Sequence, residues 1–285
     1  DLTLGAAQFE AGGVIRADDL RQVTARIDVI ARSLVMAYPA LADGLGDTLS
    51  FGANIDWQDG DPLKITNLAL STKGMVLTGY GQAFGLASDG LIQGQLQANV
   101  ADMARFAKLA GRPLGGSLGA QIRGDLALLT GAFDLNLTAN GTDLVIGIAQ
   151  ADQILTGATQ LEIAATRDTT GLTLKAAQIR TQNGSVSASG QVATDDSDLR
   201  FSAAIPEVGQ FVQGLDGRAS LSGRAVQDRQ GWQLSITGQG PRASRVSADA
   251  LVPNDAPISA EFAARMGDIG WLVPDLPGAA QISGT

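Results

Sequence analysis

Asp102-Met-Ala-Arg-Phe-Ala-Lys-Leu-Ala-Gly111 and Leu118-Gly-Ala-Gln-Ile-Arg-Gly-Asp-Leu126 carry the two periods from which the rest of the chain is read. In the first, Met103, Phe106, Ala107 and Ala110 fall three and four apart, the spacing of one face of a short helix, and Gly111 stops it. In the second, Leu118, Ala120, Ile122, Gly124 and Leu126 alternate with Gln121, Arg123 and Asp125, as on a strand with one dry and one wet face. Phe133, Leu135, Leu137 and Ala139 keep the alternation against Asp134, Asn136 and Thr138. The stretch therefore reads as a short helical joint feeding strands.

The joint recurs. Glu207-Val-Gly-Gln-Phe211, Leu215, Gly217, Leu221 and Gly223 return 61 residues later as Asp268-Ile-Gly-Trp-Leu272, Leu276, Gly278, Ile282 and Gly284. A looser copy begins at Asp28 and runs through Leu34, Leu41 and Gly44 to Leu49 and Gly52. The opening acids at 28, 102, 207 and 268 are separated by 74, 105 and 61 residues, too uneven for a solenoid of fixed rung length. What repeats is a punctuation mark between variable runs of strands, which divides residues 1–285 into one continuous body with sub-units at about 28–101, 102–206, 207–267 and the start of a further one at 268–285.

Composition suits a large sheet. Gly is 36 of 285, aromatic residues are 5%, and charged residues are 17% against an ordinary value of about 25%. A net charge of −9 with no cluster of Lys and Arg argues against nucleic acid and anionic membrane surfaces. The absence of Cys and His removes thiolate and imidazole metal sites, Cys nucleophiles and Ser-His-Asp triads together. No signal peptide or apolar run of about 18 residues is visible. The chain opens in strand-like Asp1-Leu-Thr-Leu4 and stops at Ile282-Ser-Gly-Thr285 within the fourth joint, so it reads as a segment of something longer.

Along the chain, residues 1–9 and about 20–27 read as strands, although Leu20, Val23, Ile27, Ile30 and Leu34 also fit a helix, and helix is expected over 29–37, ending before Pro39. Ile92, Gly94, Leu96, Ala98 and Val100 against Gln93, Gln95, Gln97 and Asn99 form the cleanest alternation. Strands are expected at 132–139 and 143–148 with Asn140-Gly141 as the hairpin turn between them. The whole reading gives about eighteen strands with short connections, hence antiparallel order. A ribbon of that many strands at about 4.8 Å spacing must curl, fold over or split. Gly94, Gly124, Gly190 and Gly223, on the dry face, permit strong bending.

Candidate sites elsewhere are weak. Thr194-Asp-Asp-Ser-Asp-Leu199 and Asp59-Gly-Asp61 supply oxygen ligands but no calcium-loop pattern, and read as solvated turns. Gly238-Gln-Gly240-Pro-Arg-Ala243 lacks the following helix that a dinucleotide loop needs. Asn136-Leu-Thr138 and Asn140-Gly-Thr142 match the glycosylation acceptor at chance frequency. Carboxylates sit in turns and on wet faces without aromatic platforms for sugars, so neither an enzyme nor a cofactor is expected. From pattern alone the dry face is either the core of a β-sandwich or the lining of an open groove.

Asp61-Pro-Leu-Lys-Ile-Thr-Asn-Leu-Ala-Leu70, Ala110-Gly-Arg-Pro-Leu-Gly-Gly116, Leu129-Thr-Gly-Ala-Phe-Asp-Leu-Asn-Leu137, Leu144-Val-Ile-Gly-Ile-Ala-Gln-Ala-Asp152 and the repeated Leu-x-Gly strands resemble the alphaproteobacterial TamB family of translocation and assembly module proteins, within the AsmA-like group. The resemblance spans essentially the whole chain. It implies an all-β fold, a long curved antiparallel sheet folded into a U-shaped trough (a β-taco) with a few short helices at repeat joints. It also implies a periplasmic location, bridge-like movement of phospholipid between inner and outer membranes, and a part in outer-membrane biogenesis. The family's inner-membrane anchor helix and its portion for the outer-membrane partner TamA are not recognisable here, so the segment is expected to come from the middle of such a protein, with TamA contacted through other parts. On this reading phospholipid acyl chains are the partner, and no nucleic acid is. Ile92, Leu96, Leu118, Ile122, Phe133, Leu135, Leu137, Leu172, Leu174, Val186, Leu221, Trp232, Leu234 and Ile236 are the expected groove lining. The alternative is an elongated periplasmic scaffold that binds outer-membrane protein strands by strand addition.

Overall fold

The computed structural model describes residues 4–18, 21–36, 38–85, 90–193, 196–212, 214–255, 257–268, 270 and 278–284. The fold is all-β, with 17 strands in one antiparallel sheet, and the chain forms two compact units, Asp1–Leu161 and Glu162–Thr285. The first holds β1 (Leu4–Asp18), β2 (Gln22–Met36), α1 (Pro39–Leu45), β3 (Leu49–Gln58), β4 (Leu63–Thr72), β5 (Val76–Phe84) and β6 (Leu91–Val100). A 3-10 turn (Met103–Phe106) then runs into α2 (Ala107–Ala110), β7 (Gly115–Ala127), β8 (Phe133–Val145), α3 (Ala149–Ile154) and the first residues of β9 (Ala158–Arg167). The second unit continues with β10 (Leu172–Thr181), β11 (Ser185–Val192), β12 (Ser197–Ile205), a 3-10 turn (Val208–Gln210), β13 (Ala219–Asp228), β14 (Gly231–Gln239), β15 (Arg245–Pro253), β16 (Ser259–Met266) and β17 (Ala280–Gly284).

Pairing is sequential in each unit. Every strand from β1 to β8 is registered antiparallel to the next, as is every strand from β10 to β17. Strand-ending side chains close the tight turns. Thr72 Oγ1 accepts from the Gly74 and Met75 amides and donates to the Met75 carbonyl. Thr181 repeats the device on Asn183 and Gly184. Asp168 and Asp228 achieve the same with a carboxylate, holding the Thr170 and Gln230 amides.

Two local expectations fail. The helix expected at 29–37 is the second half of β2, and the joint helix lies beyond it at 39–45. Val23, Ile27, Val29 and Ile30 are β-branched and β2 is laddered on both sides, Val29 facing Ala11 in β1 and Phe51 in β3, so pairing outweighs a helical spacing that the same residues also fit. Pro39 begins the helix instead of ending one, its fixed φ and missing N–H suiting the first turn. The joint placed at Asp28 is therefore displaced to α1. Asn140-Gly141 is no hairpin: both residues are paired inside β8, with Gly119 and Leu118 of β7, and the expected strands on either side are one. With that merger the described residues hold 17 strands, where about eighteen were expected.

In an antiparallel meander alternate connections share one end of the strands. In the first unit α1, the α2 joint and α3 all fall at that end, and α1 packs on the α2 joint. Arg105 Nε donates to the Gly44 carbonyl (3.2 Å), and Lys108 Nζ lies 2.6 Å from Asp43. A Cβ on Gly44 would meet the Phe106 ring at 2.8 Å, so only glycine lets the two joints close. No helix among the described residues is long and apolar enough to cross a membrane.

Candidate functional site: an unsealed apolar face

The registered pairs stack the alternating residues into continuous rows. In the first unit Leu68, Gly79, Leu96, Ile122 and Leu137 form one row across β4 to β8. Leu63, Ala83, Ile92, Leu126 and Phe133 form another. Between them runs Ile65, Gly81, Gly94, Gly124 and Leu135. Leu118, opposite Val100 and Gly141, extends the same face. In the second unit Val186, Ala203, Leu221, Gly238, Val246, Ala264 and Ile282 form a row from β11 to β17. Ala188, Phe201, Gly223, Ile236, Ala248, Phe262 and Gly284 form the next. Leu174, Gly190, Leu199, Ala225, Leu234 and Ala250 form the third. Leu172 pairs with Val192, and Trp232 stands at a row end beside Gln227 and Val252. All fourteen expected lining residues thus lie on the apolar face of their own unit.

Large and small residues alternate within the second unit's rows, so side chains on one strand lean over glycine or alanine on the next. The expected bending glycines are tight, chiefly against the backbone of the neighbouring strand. A Cβ at Gly124 would collide with the Asp134 carbonyl and one at Gly190 with the Asp198 carbonyl, both at φ near +150 (+151 and +143). At Gly94 it would approach the Tyr80 carbonyl to 2.6 Å, and at Gly223 the Phe201 ring and the Ser235 carbonyl.

Packing leaves this face open. The buried apolar residues among those described are Ala25, Ala31, Leu34, Ala53, Ala139 and Val208, four of them alanine. Ile92 is 37% exposed, Ile122 41%, Val186 45% and Phe262 48%, whereas a sandwich core would hold such side chains almost fully buried. The solvent-accessible surface is 17923 Å², against roughly 11,500 Å² for a compact monomer of this mass. The alternate face is polar and internally paired. Gln95 accepts from Tyr80 Oη (3.3 Å) and Arg123 Nη2 (2.6 Å), and Arg224 grips Asp198 with two bonds of 2.7 and 2.8 Å. The Arg224 guanidinium holds the Asp198 carboxyl below its usual range, and the Asp198 carboxylate raises Arg224.

The repeated joint is a carboxylate clamp. Glu207 Oε1 accepts from the Gly209 amide (3.1 Å) and the Gly217 amide (2.7 Å), two and ten residues on. Asp268 Oδ1 accepts from Gly270 (2.9 Å), and Gly278 also bonds to this carboxylate, the same two offsets. Ile269 and residues 271–277, which include Trp271, Leu272 and Leu276 of the expected repeat, lie outside the described residues, as do Thr194 and Asp195 of the acidic turn. Hydrogen bonds from the Gly217 and then the Gly209 amide lower the Glu207 pKa; for Asp268 the Gly270 amide and then Arg242 do so. Asp102 caps its own turn through the Ala104 amide (2.9 Å). At α3 the acid sits inside the helix, Asp152 Oδ1 accepting from the Ile146 amide (2.7 Å), and sequence reading misses that joint.

Beneath the Glu207 joint lies a cavity of about 430 Å³, floored by Ala203, Leu221, Val246 and Ala264 of one apolar row and walled by Leu215 and Pro241. Neither Leu215 nor Pro241 stands out as a site residue in the sequence; the constant spacing from Glu207 to Leu215 is the signal that marks the wall. Among the described residues no group of three or more Asp or Glu side chains is arranged to hold a metal ion. Comparison with protein-family models, with curated proteins and with solved structures finds no match.

Proposed function

We propose that the chain is a segment of a periplasmic bridge-like conduit, a trough of TamB type, in which phospholipid acyl chains lie along the apolar rows while headgroups remain in water. The observation that carries this reading is the continuous apolar face, on which Ile92, Leu96, Ile122 and Val186 are exposed and the other ten expected lining residues are only half-buried. Such a face costs free energy until something removes it from water, and an acyl chain gains about 0.8 kcal/mol for each CH₂ buried against it. No polar side chain interrupts the rows Leu68–Leu137 or Val186–Ile282, so a guest meets no fixed anchor along them and can slide.

Native mass spectrometry of protein purified without detergent tests the reading. Wild type is expected to carry phospholipid, Leu135→Arg to lose it, and Gln95→Arg, on the wet face, to keep it. Equal lipid occupancy in wild type and L135R overturns the conduit. A second reading, a scaffold for outer-membrane protein strands, is favoured by β1, where Val14 is 57% and Ile15 74% exposed. Adjacent strand residues point to opposite faces, so β1 is bare on both at Val14 and Ile15. Lipid-free protein that binds unfolded β-barrel peptides selects that reading.

A further inference from the structure

On the wet face of the second unit, ion pairing stops short of β15 and β16. Arg224 and Arg200 both reach Asp198, at 2.7 and 3.8 Å. Among the described residues Arg245, Arg265 and Glu261 have no ion-pair partner, and Asp249 holds only the Ser235 hydroxyl, at 2.7 Å. Register shows why. Arg245 stands directly opposite Arg265, and Asp249 directly opposite Glu261. Like charges so placed repel each other. The basic pair and the acidic pair lie four residues apart along each strand, about 13 Å, with Ser247 and Ala263 between them, and no ion pair spans that gap.

The wet-face row through Ser247 carries serine, threonine or alanine on every strand from β11 to β17. Its hydroxyls bond to one another, Ser187 with Ser202 (2.7 Å) and Ser222 with Thr237 (3.2 Å). On one side of this row run Ala204, Ser220, Gln239, Arg245 and Arg265, and on the other Arg200, Arg224, Ser235, Asp249 and Glu261. A two-fold axis laid along the central row, between two such faces, reverses the strands of the second copy and exchanges its flanking rows. Arg245 then meets Asp249 of the second copy, and Arg265 meets Glu261. Ala204 falls on Arg200, Ser220 on Arg224 and Gln239 on Ser235, so no like charges meet across these rows. An axis laid along the strands would instead set arginine on arginine and acid on acid.

We propose that this face is a contact between two copies of the chain, wet face to wet face about the axis along the Ser247 row. A two-fold contact must be self-complementary, and charges that are alike across the strands of one chain become unlike between the chains. Short side chains on the central row let the faces approach to the spacing of packed sheets, about 10 Å. The strands from β11 to β17 and five residues of each cover roughly 500 Å² a side, at the low end of specific interfaces, so the dimer forms and dissociates with concentration. Both apolar faces stay turned away from the contact, which therefore does not depend on the guest proposed for them.

Sedimentation equilibrium of the whole chain tests the contact. At low salt wild type is expected to pass from monomer to dimer over about a hundredfold range of concentration. Salt at about 1 M, which screens charges beyond about 3 Å, is expected to weaken association about tenfold or more. R245E/R265E makes all four positions acidic and D249R/E261R makes them all basic; each alone is expected to associate at least about tenfold more weakly than wild type. Both variants keep like charges opposed within the chain, so melting near the wild-type temperature, followed by circular dichroism, shows that the fold survives. Mixed together, the two are expected to form a heterodimer, and the chain with all four substitutions is expected to dimerise again. Wild type that stays monomeric throughout overturns the proposal. So does a dimer indifferent to the charge reversals, which would be one joined through the apolar faces, and so does failure of the mixed variants to associate.

Discussion

Gly81, Gly94 and Gly124 line up across β5, β6 and β7 between two rows of leucine, isoleucine and phenylalanine. At that line the backbones approach so closely that a Cβ on Gly124 would overlap the neighbouring strand's carbonyl. Gly124→Ala is accordingly expected to cost about 1–3 kcal/mol, adding that collision to an unfavourable φ, in chemical denaturation followed by circular dichroism. Gly131→Ala, in a turn with φ of 66° but open space around the missing Cβ, should cost only about 1–2 kcal/mol from the dihedral alone. A Gly124→Ala protein no less stable than Gly131→Ala would show that the strands can separate there. That Gly94 and Gly124 belong to the dry face was legible in the sequence, because period-two alternation assigns a face to every residue, glycine included. What alternation could not supply was register, the fact that three such glycines from strands up to 43 positions apart stand side by side.

At the scale of elements, the clamp of Glu207 on Gly209 and Gly217 explains why the landmarks of that joint and of the Asp268 joint keep constant offsets while the runs of strands between joints vary. Its carboxyl has a lowered pKa in the folded chain, so the ionised form is the one favoured by folding. The stabilisation is fully present above the ordinary glutamate value of about 4.3 and disappears as pH falls through the lower folded value. The protection factor of the Gly217 amide, its exchange rate corrected for the intrinsic dependence on pH, should therefore fall on acidification below about pH 4 in wild type, whereas Glu207→Gln should be less protected at neutral pH and show little further change there. A wild-type profile flat to pH 2.5 would disprove the clamp. The joints most visible in sequence are those whose acid comes first. At α3 the acid lies within the helix and reaches backward to Ile146, so the spacing rule has nothing to match. β2 is the converse case: Val23, Ile27, Ile30 and Leu34 fit the helical spacing while Val23, Ala25 and Ile27 fit the alternating one, and only partners on both flanks, β1 and β3, decide between them. Asn140-Gly141 likewise carries a strong turn signal that loses to continuous pairing with β7.

For the molecule as a whole, the decisive quantity is surface left in contact with water. An unfolded chain of 29.2 kDa exposes roughly 42,000 Å², so folding to 17923 Å² removes about one-fifth less area than folding to a compact monomer would. The denaturant dependence of unfolding should be shallower in proportion, and a dye such as ANS should bind the native protein at neutral pH, competed off by phospholipid. Normal steepness together with no dye binding would mean that the apolar rows are sealed in solution. The apolar rows were foreseeable residue by residue; that they stay open was not, since a sandwich core and an unsealed face share one pattern. The cavity under the Glu207 joint was further out of reach, since it draws together positions from Ala203 to Asp268 that only the completed meander brings into contact.

Because the Glu207 and Asp268 joints each fasten to themselves through a single carboxylate, the four strands from β13 to β16 form a cassette with matching ends. Excising residues 207–267 would leave Pro206 followed by Asp268, which carries the same two offsets as the acid it replaces, and should yield a folded protein whose ladder is shorter by about 19 Å, measurable by small-angle scattering. A family of such chains can then change its reach by whole cassettes, without redesigning a single strand.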